Sequence, residues 1–196
     1  MRQRVSVHES EVAREEYSDR WSKDLIGGRE VPTTSGFSLG VAEYFAAEFG
    51  KLQVHNDQEE VYVVSGVGQM RIGDRMFDVG PGTTFCLPPG TPHATRRTGP
   101  EPVFVVYAHA KHEPGKGIHN SAMATGRHWP GGFGAAKAHD DHEALYVIAG
   151  EGQIRVGDEV LDVRPGHAVY VAPGVPHATR STTNGAIVTL FAHGAV

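Results

Sequence analysis

One shift in register accounts for most of this chain. Adding 84 to a residue number between Gly50 and His109 lands, without a gap, on its counterpart between Gly134 and His193, and about 26 of those 60 positions are identical. His55 and Glu59 fall on His139 and Glu143, the stretch Gly66–Asp74 falls on Gly150–Asp158, and Pro89–Arg96 falls on Pro173–Arg180. An internal repeat has to be read first, because both copies must find the same fold. The first copy is predicted over residues 37–110 and the second over 121–196. Residues 1–36 form an arm without a counterpart, and residues 111–120 form a linker whose Lys111–Gly117 stretch is polar and contains Pro and Gly. At 196 residues the chain has room for two small domains.

Each copy reads as short strands punctuated by turns. Glu59–Val64 is a β-branched and aromatic run closed by Ser65 and Gly66, and Gln69–Ile72 ends at Gly73-Asp74, a strong hairpin signal. Arg75–Val79, Thr83–Leu87, His93–Arg97 and Val103–His109 come next, separated by Gly80-Pro-Gly82 and Pro88-Pro-Gly90. With 25 glycines and 12 prolines the chain is rich in helix breakers, which turn-dense β structure tolerates. An all-β barrel or sandwich is therefore expected for each repeat. In the arm, Val12, Tyr17 and Trp21 stand at loose helical spacing, and a short helix is predicted within Glu9–Asp24. Gly66, Gly68 and Gly73 faintly suggest a nucleotide loop. Such a loop must lead into a helix, whereas Gln69–Ile72 reads as a strand.

Twelve histidines are many for this length, and several fall where they can converge. Side chains alternate along a strand, so Gln53, His55 and Glu59 share a face. His93 opens another strand, and a closed barrel brings it to the same interior. Two imidazoles and a carboxylate suit Fe(II), Mn(II) and similar ions and leave coordination positions open. His139, Glu143 and His177 repeat the set. The rival reading is a hydrogen-bonded polar cluster without metal. His109 and His193 recur at the ends of the final strands, as duplication alone would make them. Tyr62 and Tyr146 are expected to be packing residues, and Cys86 buried and inert.

These segments resemble the two motifs of the cupin superfamily. The first appears as Gln53-x-His55-x3-Glu59-x6-Gly66 and Lys137-x-His139-x3-Glu143-x6-Gly150, and the second as Gly82-x5-Pro88-x-Gly90-x2-His93 and Gly166-x5-Ala172-x-Gly174-x2-His177. The resemblance implies an all-β bicupin, with two tandem double-stranded β-helix (jelly-roll) barrels and a short helical or extended N-terminal arm. The family's first motif begins with a further ligand His, where this chain has Gln53 and Lys137. Gln53 can offer a carbonyl oxygen as a fourth ligand. A protonated Lys137 has no lone pair to give, and it suits a pairing with Glu143 in place of a metal's charge. The Asn that closes the second motif is replaced by Arg97 and Ser181. Four residues after His93, Arg97 would face inward on an unbroken strand and anchor a substrate carboxylate; the rival reading is a structural salt bridge or an outward side chain.

The family resemblance further implies a divalent metal (Fe, Mn, Ni or Zn) held by His55, Glu59 and His93 with Gln53, and by His139, Glu143 and His177. Glu59 and Arg97 would act in catalysis. The expected function is a metal-dependent enzyme acting on a small organic molecule, either a dioxygenase or an isomerase or cyclase. The alternative is a non-catalytic barrel that binds a sugar or carboxylate. Cupins often pair, so a homodimer is the expected assembly. A formal net charge of −5 without basic stripes argues against nucleic acid as a partner. No apolar run approaches the roughly 18 residues of a membrane span. The first residues lack the apolar core of a signal peptide and Cys86 is the single cysteine, which favours a cytoplasmic protein.

Overall fold

The computed structural model describes residues 3–111 and 121–196, so the expected linker lies, Lys111 apart, outside the described residues. The arm contributes β1 (Ser6–His8), a 3-10 turn (Glu9–Glu11), β2 (Glu15–Glu16) and β3 (Arg20–Ile26). The first repeat runs through β4 (Ser38–Tyr44), β5 (Gln58–Ser65), β6 (Gly68–Ile72), β7 (Arg75–Val79), β8 (Thr84–Leu87), β9 (His93–Arg97) and β10 (Val103–Ala110). The second continues with β11 (Ser121–His128), β12 (His142–Ala149), β13 (Gly152–Val156), β14 (Glu159–Val163), β15 (His167–Val171), β16 (His177–Ser181) and β17 (Ile187–Gly194). Strands β5, β6, β7, β9 and β10 reappear 84 residues later with the same bounds, as the repeat requires. No α-helix occurs among the described residues.

Each repeat closes a large sheet over a small one. In the first, the order β2-β3-β4-β10-β5-β8 faces β7-β6-β9; in the second, β1-β15-β12-β17-β11 faces β14-β13-β16. Alternation then decides what each strand buries. Along β10, Val103 and Val105 enter the first barrel's core, while Val106, Ala108 and Ala110 turn outward. Along β12, Leu145 and Val147 enter the second barrel, while Ala144 and Tyr146 turn outward. The outward rows of both large sheets meet in one further core, with Val7, Leu25, Ile26, Val31 and Phe37 from the arm and the chain after it. The central strands are thus covered on both faces, which explains their nearly continuous apolar runs.

The arm corrects the helix expected there. β3 pairs antiparallel with β4, from Arg20 opposite Tyr44 to Ile26 opposite Leu39, and β1 pairs with β15 through Val7 and Ala168. Both β4 and β15 would otherwise present rows of unpaired backbone groups, and a sheet edge of that kind recruits a strand whatever the local spacing suggests. Only Glu9–Glu11 turns helically, where the His8 side chain accepts from Ser10 N and Glu11 reaches back to His8 N at 2.8 Å. Cys86 also departs from expectation: on β8, an edge strand of its sheet, it is exposed. Tyr146 is buried as expected and donates to Glu9 Oε2 at 2.7 Å, while Tyr62 is partly buried against the shared core.

Two glycines that close the first motif carry a steric requirement. Gly66 has φ 81° and Gly150 φ 78°, and a Cβ on them would stand 2.0 Å from Pro102 O and 2.4 Å from Ala186 O. Gly66→Ala is expected to cost about 1–3 kcal/mol from backbone strain, with a further loss from the clash. Urea unfolding measures it, and a loss within error would show that this turn relaxes freely.

Candidate functional site

The site in the first barrel is assembled from three segments. Gln53 and His93 form a short antiparallel bridge, with Gln53 N donating to His93 O at 2.8 Å and His93 N donating back at 3.0 Å. This clamps the segment before β5 onto the start of β9. His55 comes two residues later, and Glu59 points inward from β5. His93 Nε2 lies 2.9 Å and His55 Nε2 3.5 Å from the same carboxylate oxygen, Glu59 Oε2. The second barrel repeats the construction. Lys137 bridges His177 through backbone bonds of 2.9 Å each, and His139 Nε2 and His177 Nε2 lie 2.9 and 2.8 Å from Glu143 Oε2. The structure therefore brings His55, Glu59 and His93 together, and likewise His139, Glu143 and His177.

The far side of most of these rings is engaged. His93 Nδ1 reaches Thr91 O at 2.9 Å, His177 Nδ1 reaches Val175 O at 3.1 Å, and His139 Nδ1 reaches Asp141 O at 3.2 Å. A carbonyl only accepts, so Nδ1 must carry the proton, and in the neutral ring Nε2 then presents a bare lone pair. The tautomer is assigned from these partners. Such lone pairs on His139 and His177 in one barrel, and on His93 in the other, aim at a single carboxylate oxygen, which is itself an acceptor. Like poles repel unless a proton or a cation stands between them. In the first barrel His55 Nε2, His93 Nε2 and Glu59 Oε2 are buried and make no hydrogen bond despite their proximity. A divalent cation fits these donors: it would satisfy all three atoms, and the engaged Nδ1 atoms would hold the rings in place.

Protonation follows the same crowding. Burial acts most strongly on Glu59 and alone would raise its pKa, but His93, His109 and His55 outweigh it and hold the carboxyl below its ordinary range. Glu143 is likewise held down against burial by His177, His139 and His193. Burial pulls His93 down, yet the Glu59 carboxylate and the Thr91 carbonyl carry it above the usual histidine value. His177 is raised chiefly by its bond to Glu143, whereas burial leaves His55 lowered. Tyr44, which accepts from Gln53 Nε2 at 3.2 Å, is pushed up to about 12 by burial and the nearby Glu59 charge.

Arg97 is not brought to the site and takes the structural alternative. Its Nε donates to Phe45 O and its Nη1 to Gly99 O, both at 2.7 Å, and Arg97 N donates to Ala46 O. At the last position of β9 the side chain ties two loops at the opposite end of the strand from His93. The cation that does line the first cavity is Arg20, from the arm strand read as helix, together with Tyr44, Gln53 and Tyr107. That cavity measures about 320 Å³; the second measures about 630 Å³ and is lined by Arg127, His128, Lys137 and the apolar Leu145 and Phe191. Both suit small-molecule sites in size.

His109 and His193 also line these cavities, and spacing within one strand did not single them out. In the sheet His109 stands opposite Glu59 and His193 opposite Glu143, so cross-strand pairing puts each imidazole beside the carboxylate. His109 Nδ1 lies 3.2 Å from Asp57 Oδ1, and His193 Nδ1 lies 3.1 Å from Asp141 Oδ2. The signal that finds them is strand pairing combined with the 84-residue shift.

Two double-layered barrels in tandem, each with histidines around an inward glutamate, define the class of this protein. The model of the cupin domain matches residues 43–109 and again 127–193, and the chain belongs to the cupin family as a bicupin. A comparison with curated proteins found no match. Among solved structures, a Bacillus subtilis oxalate decarboxylase studied for its Mn(II) centres is similar with TM-score 0.83 and 13% identity, over 100% of this chain and 78% of the other. The Lactobacillus farciminis oxalate decarboxylase formate complex is similar with TM-score 0.83 and 9% identity, over 100% of this chain and 88% of the other. At such identities the likeness is one of fold. No helix among the described residues is long and apolar enough to cross a membrane.

Proposed function

We propose that this chain is a metal-dependent enzyme acting on a small organic acid, with a divalent ion held by His55, Glu59 and His93 in the first barrel and by His139, Glu143 and His177 in the second. The carrying observation is the convergence of two imidazole Nε2 atoms on one carboxylate oxygen in each barrel. A nitrogen-rich set with one carboxylate suits Mn(II), Fe(II), Ni(II) or Zn(II). The similar oxalate decarboxylases, one with Mn(II) centres and another in complex with formate, agree with a metal and a small acid.

When bound, the metal supplies a Lewis acid with open positions for a carboxylate or enol oxygen. The protein's own part is positioning and charge. Thr91 O, Val175 O and Asp141 O fix the rings of His93, His177 and His139. Glu59 and Glu143 provide the anionic ligand, and Arg127 and Lys137 in the second cavity favour an anionic substrate, whereas in the first Arg20 is paired with Asp19 and stands among Glu15, Asp24, Asp57 and Glu59. Tyr44, kept neutral by burial, retains a proton to donate to a substrate oxygen. Dioxygenation and isomerisation or cyclisation of an enolisable acid are the reaction classes to screen first, and cytoplasmic location and pairing into a homodimer complete the reading.

Elemental analysis by mass spectrometry tests it, on untagged protein reconstituted with Fe(II), Mn(II), Ni(II) or Zn(II). We expect about two ions per chain, falling to one in His55→Ala and to one in His139→Ala. Absence of metal under all four conditions would sink the enzyme reading and leave a binding protein for small molecules.

A further inference from the structure

The first histidine of the family's motif is missing from both barrels, yet each barrel has an extra histidine that the motif does not contain. We propose that His109 and His193, from the last strand of each barrel, supply the fourth protein ligand of the two metal sites, with Asp57 and Asp141 as the carboxylates that aim them. This rests on the metal reading above and changes its ligand set, since Gln53 and Lys137 then stand outside it.

Four observations carry the assignment. Register places His109 directly opposite Glu59 and His193 directly opposite Glu143, on the inward face. The rings lie close to the first motif histidine, with centroids 4.8 Å apart for His55 and His109 and 4.8 Å for His139 and His193. In the second barrel donor atoms of His139, Glu143 and His193 all fall within 4.8 Å of one another; in the first, His109 clusters in the same way with His55 and Asp57, while Glu59 and His93 cluster with His55. Finally, the Nδ1 atoms are spoken for: His109 Nδ1 donates to Asp57 and His193 Nδ1 to Asp141, which leaves Nε2 as the free donor atom. A carboxylate behind a ligand imidazole fixes the ring and raises its basicity. In the second barrel Asp141 serves two rings at once, because its carboxylate also contacts His139 Nδ1.

The residues that replace the missing histidine are poorer candidates. The Gln53 amide nitrogen is engaged by Tyr44, and a neutral imidazole is a better ligand for these ions than an amide oxygen. Lys137 as an ammonium has no lone pair to give. Asp57 and Asp141 are themselves 84 residues apart, as are His109 and His193, so ligand and aiming carboxylate were duplicated as a unit.

Equilibrium affinity for Co(II) and Zn(II), measured by competition with a chromogenic chelator, tests the assignment, with the Co(II) absorption spectrum as a second readout of ligand number. In a His55→Ala background, which isolates the second barrel, His193→Ala is expected to weaken binding by about 100-fold and Asp141→Asn by about 10-fold. Lys137→Ala is expected to leave the affinity within about threefold of the parent. The His139→Ala background gives the same test of His109, Asp57 and Gln53. Should His193→Ala fold poorly, Asp141→Asn with an altered Co(II) spectrum upholds the proposal, and parental affinity and spectrum in that variant overturn it. Parental affinity in His193→Ala and His109→Ala, with binding abolished by Glu143→Gln and Glu59→Gln, overturns this ligand set and leaves the metal reading standing. No binding to the unsubstituted protein overturns both.

Discussion

Lowering the pH from 8 to 5 is expected to weaken metal binding in both barrels by at least about 30-fold, without unfolding the protein. Each ligand imidazole must be neutral, so a proton competes with the metal for Nε2. His93 and His177 carry pKa values above the ordinary 6.5, for different reasons. Burial opposes the shift at His93 and is overcome by the Glu59 carboxylate, while at His177 the bond to Glu143 dominates. A raised pKa means that competition begins above pH 6.5 and deepens tenfold per unit below the pKa. One such histidine per barrel therefore gives at least about 30-fold by pH 5. His55, held below its usual value, contributes least. The fold should persist. The stability contributed by a raised histidine is fully present below the unfolded value of about 6.5 and is lost only as pH rises through the folded one. The stability from Glu59 and Glu143, whose values are depressed, is lost only as pH falls through those depressed values. Metal release followed with a chelator, beside circular dichroism at each pH, separates the two effects. Full occupancy persisting to pH 4 would exclude ligation by histidine.

What could be read from the sequence was what local rules determine. The repeat is visible because identity survives at turn and site positions, such as Gly66 and Gly150, where sterics allow little else. The strands are visible because β-branched runs end at glycine and proline. His55, Glu59 and His93 are visible because two-residue alternation and a barrel are enough to make them converge. The misses share a different cause, for each depends on which strands lie side by side. Trp21 sits at helical spacing from Tyr17, but the free edge of β4 makes its segment a strand, with Trp21 Nε1 donating to Glu43 at 3.0 Å. Arg97 has the parity of His93, but at the end of β9 the nearest acceptors are the carbonyls of Phe45 and Gly99. His109 meets Glu59 through a register across 50 residues of chain that no spacing within one strand reveals. Arg20 reaches the first cavity only because the arm joins that barrel's sheet.

That dependence on the arm and its neighbours gives the other large effect. Phe37→Ala is expected to destabilise the protein by about 3–5 kcal/mol, the range for deleting a fully buried aromatic ring. Phe37 leads from the arm into β4 and is 1% exposed. Its ring does not pack in its own barrel. It stacks on His142 of the second barrel, with centroids 5.6 Å apart and planes 13° from parallel, and it fills the space that Gly194 leaves open, where a Cβ would stand 2.3 Å from the ring. His142 is itself held on both sides, by Tyr170 OH at 2.6 Å and Ser35 Oγ at 2.8 Å. A neighbour so constrained cannot collapse into the cavity, which puts the cost toward the upper end of the range. Because the shared core joins both large sheets, the loss should appear as a lower urea midpoint for one cooperative transition, with little change in slope. Met76→Ala, at a side chain 55% exposed, should stay within about 0.5 kcal/mol and serves as the control. A loss below 1 kcal/mol in Phe37→Ala, or a split into two transitions in the unsubstituted protein, would mean that the barrels fold independently and that the core between them adds little.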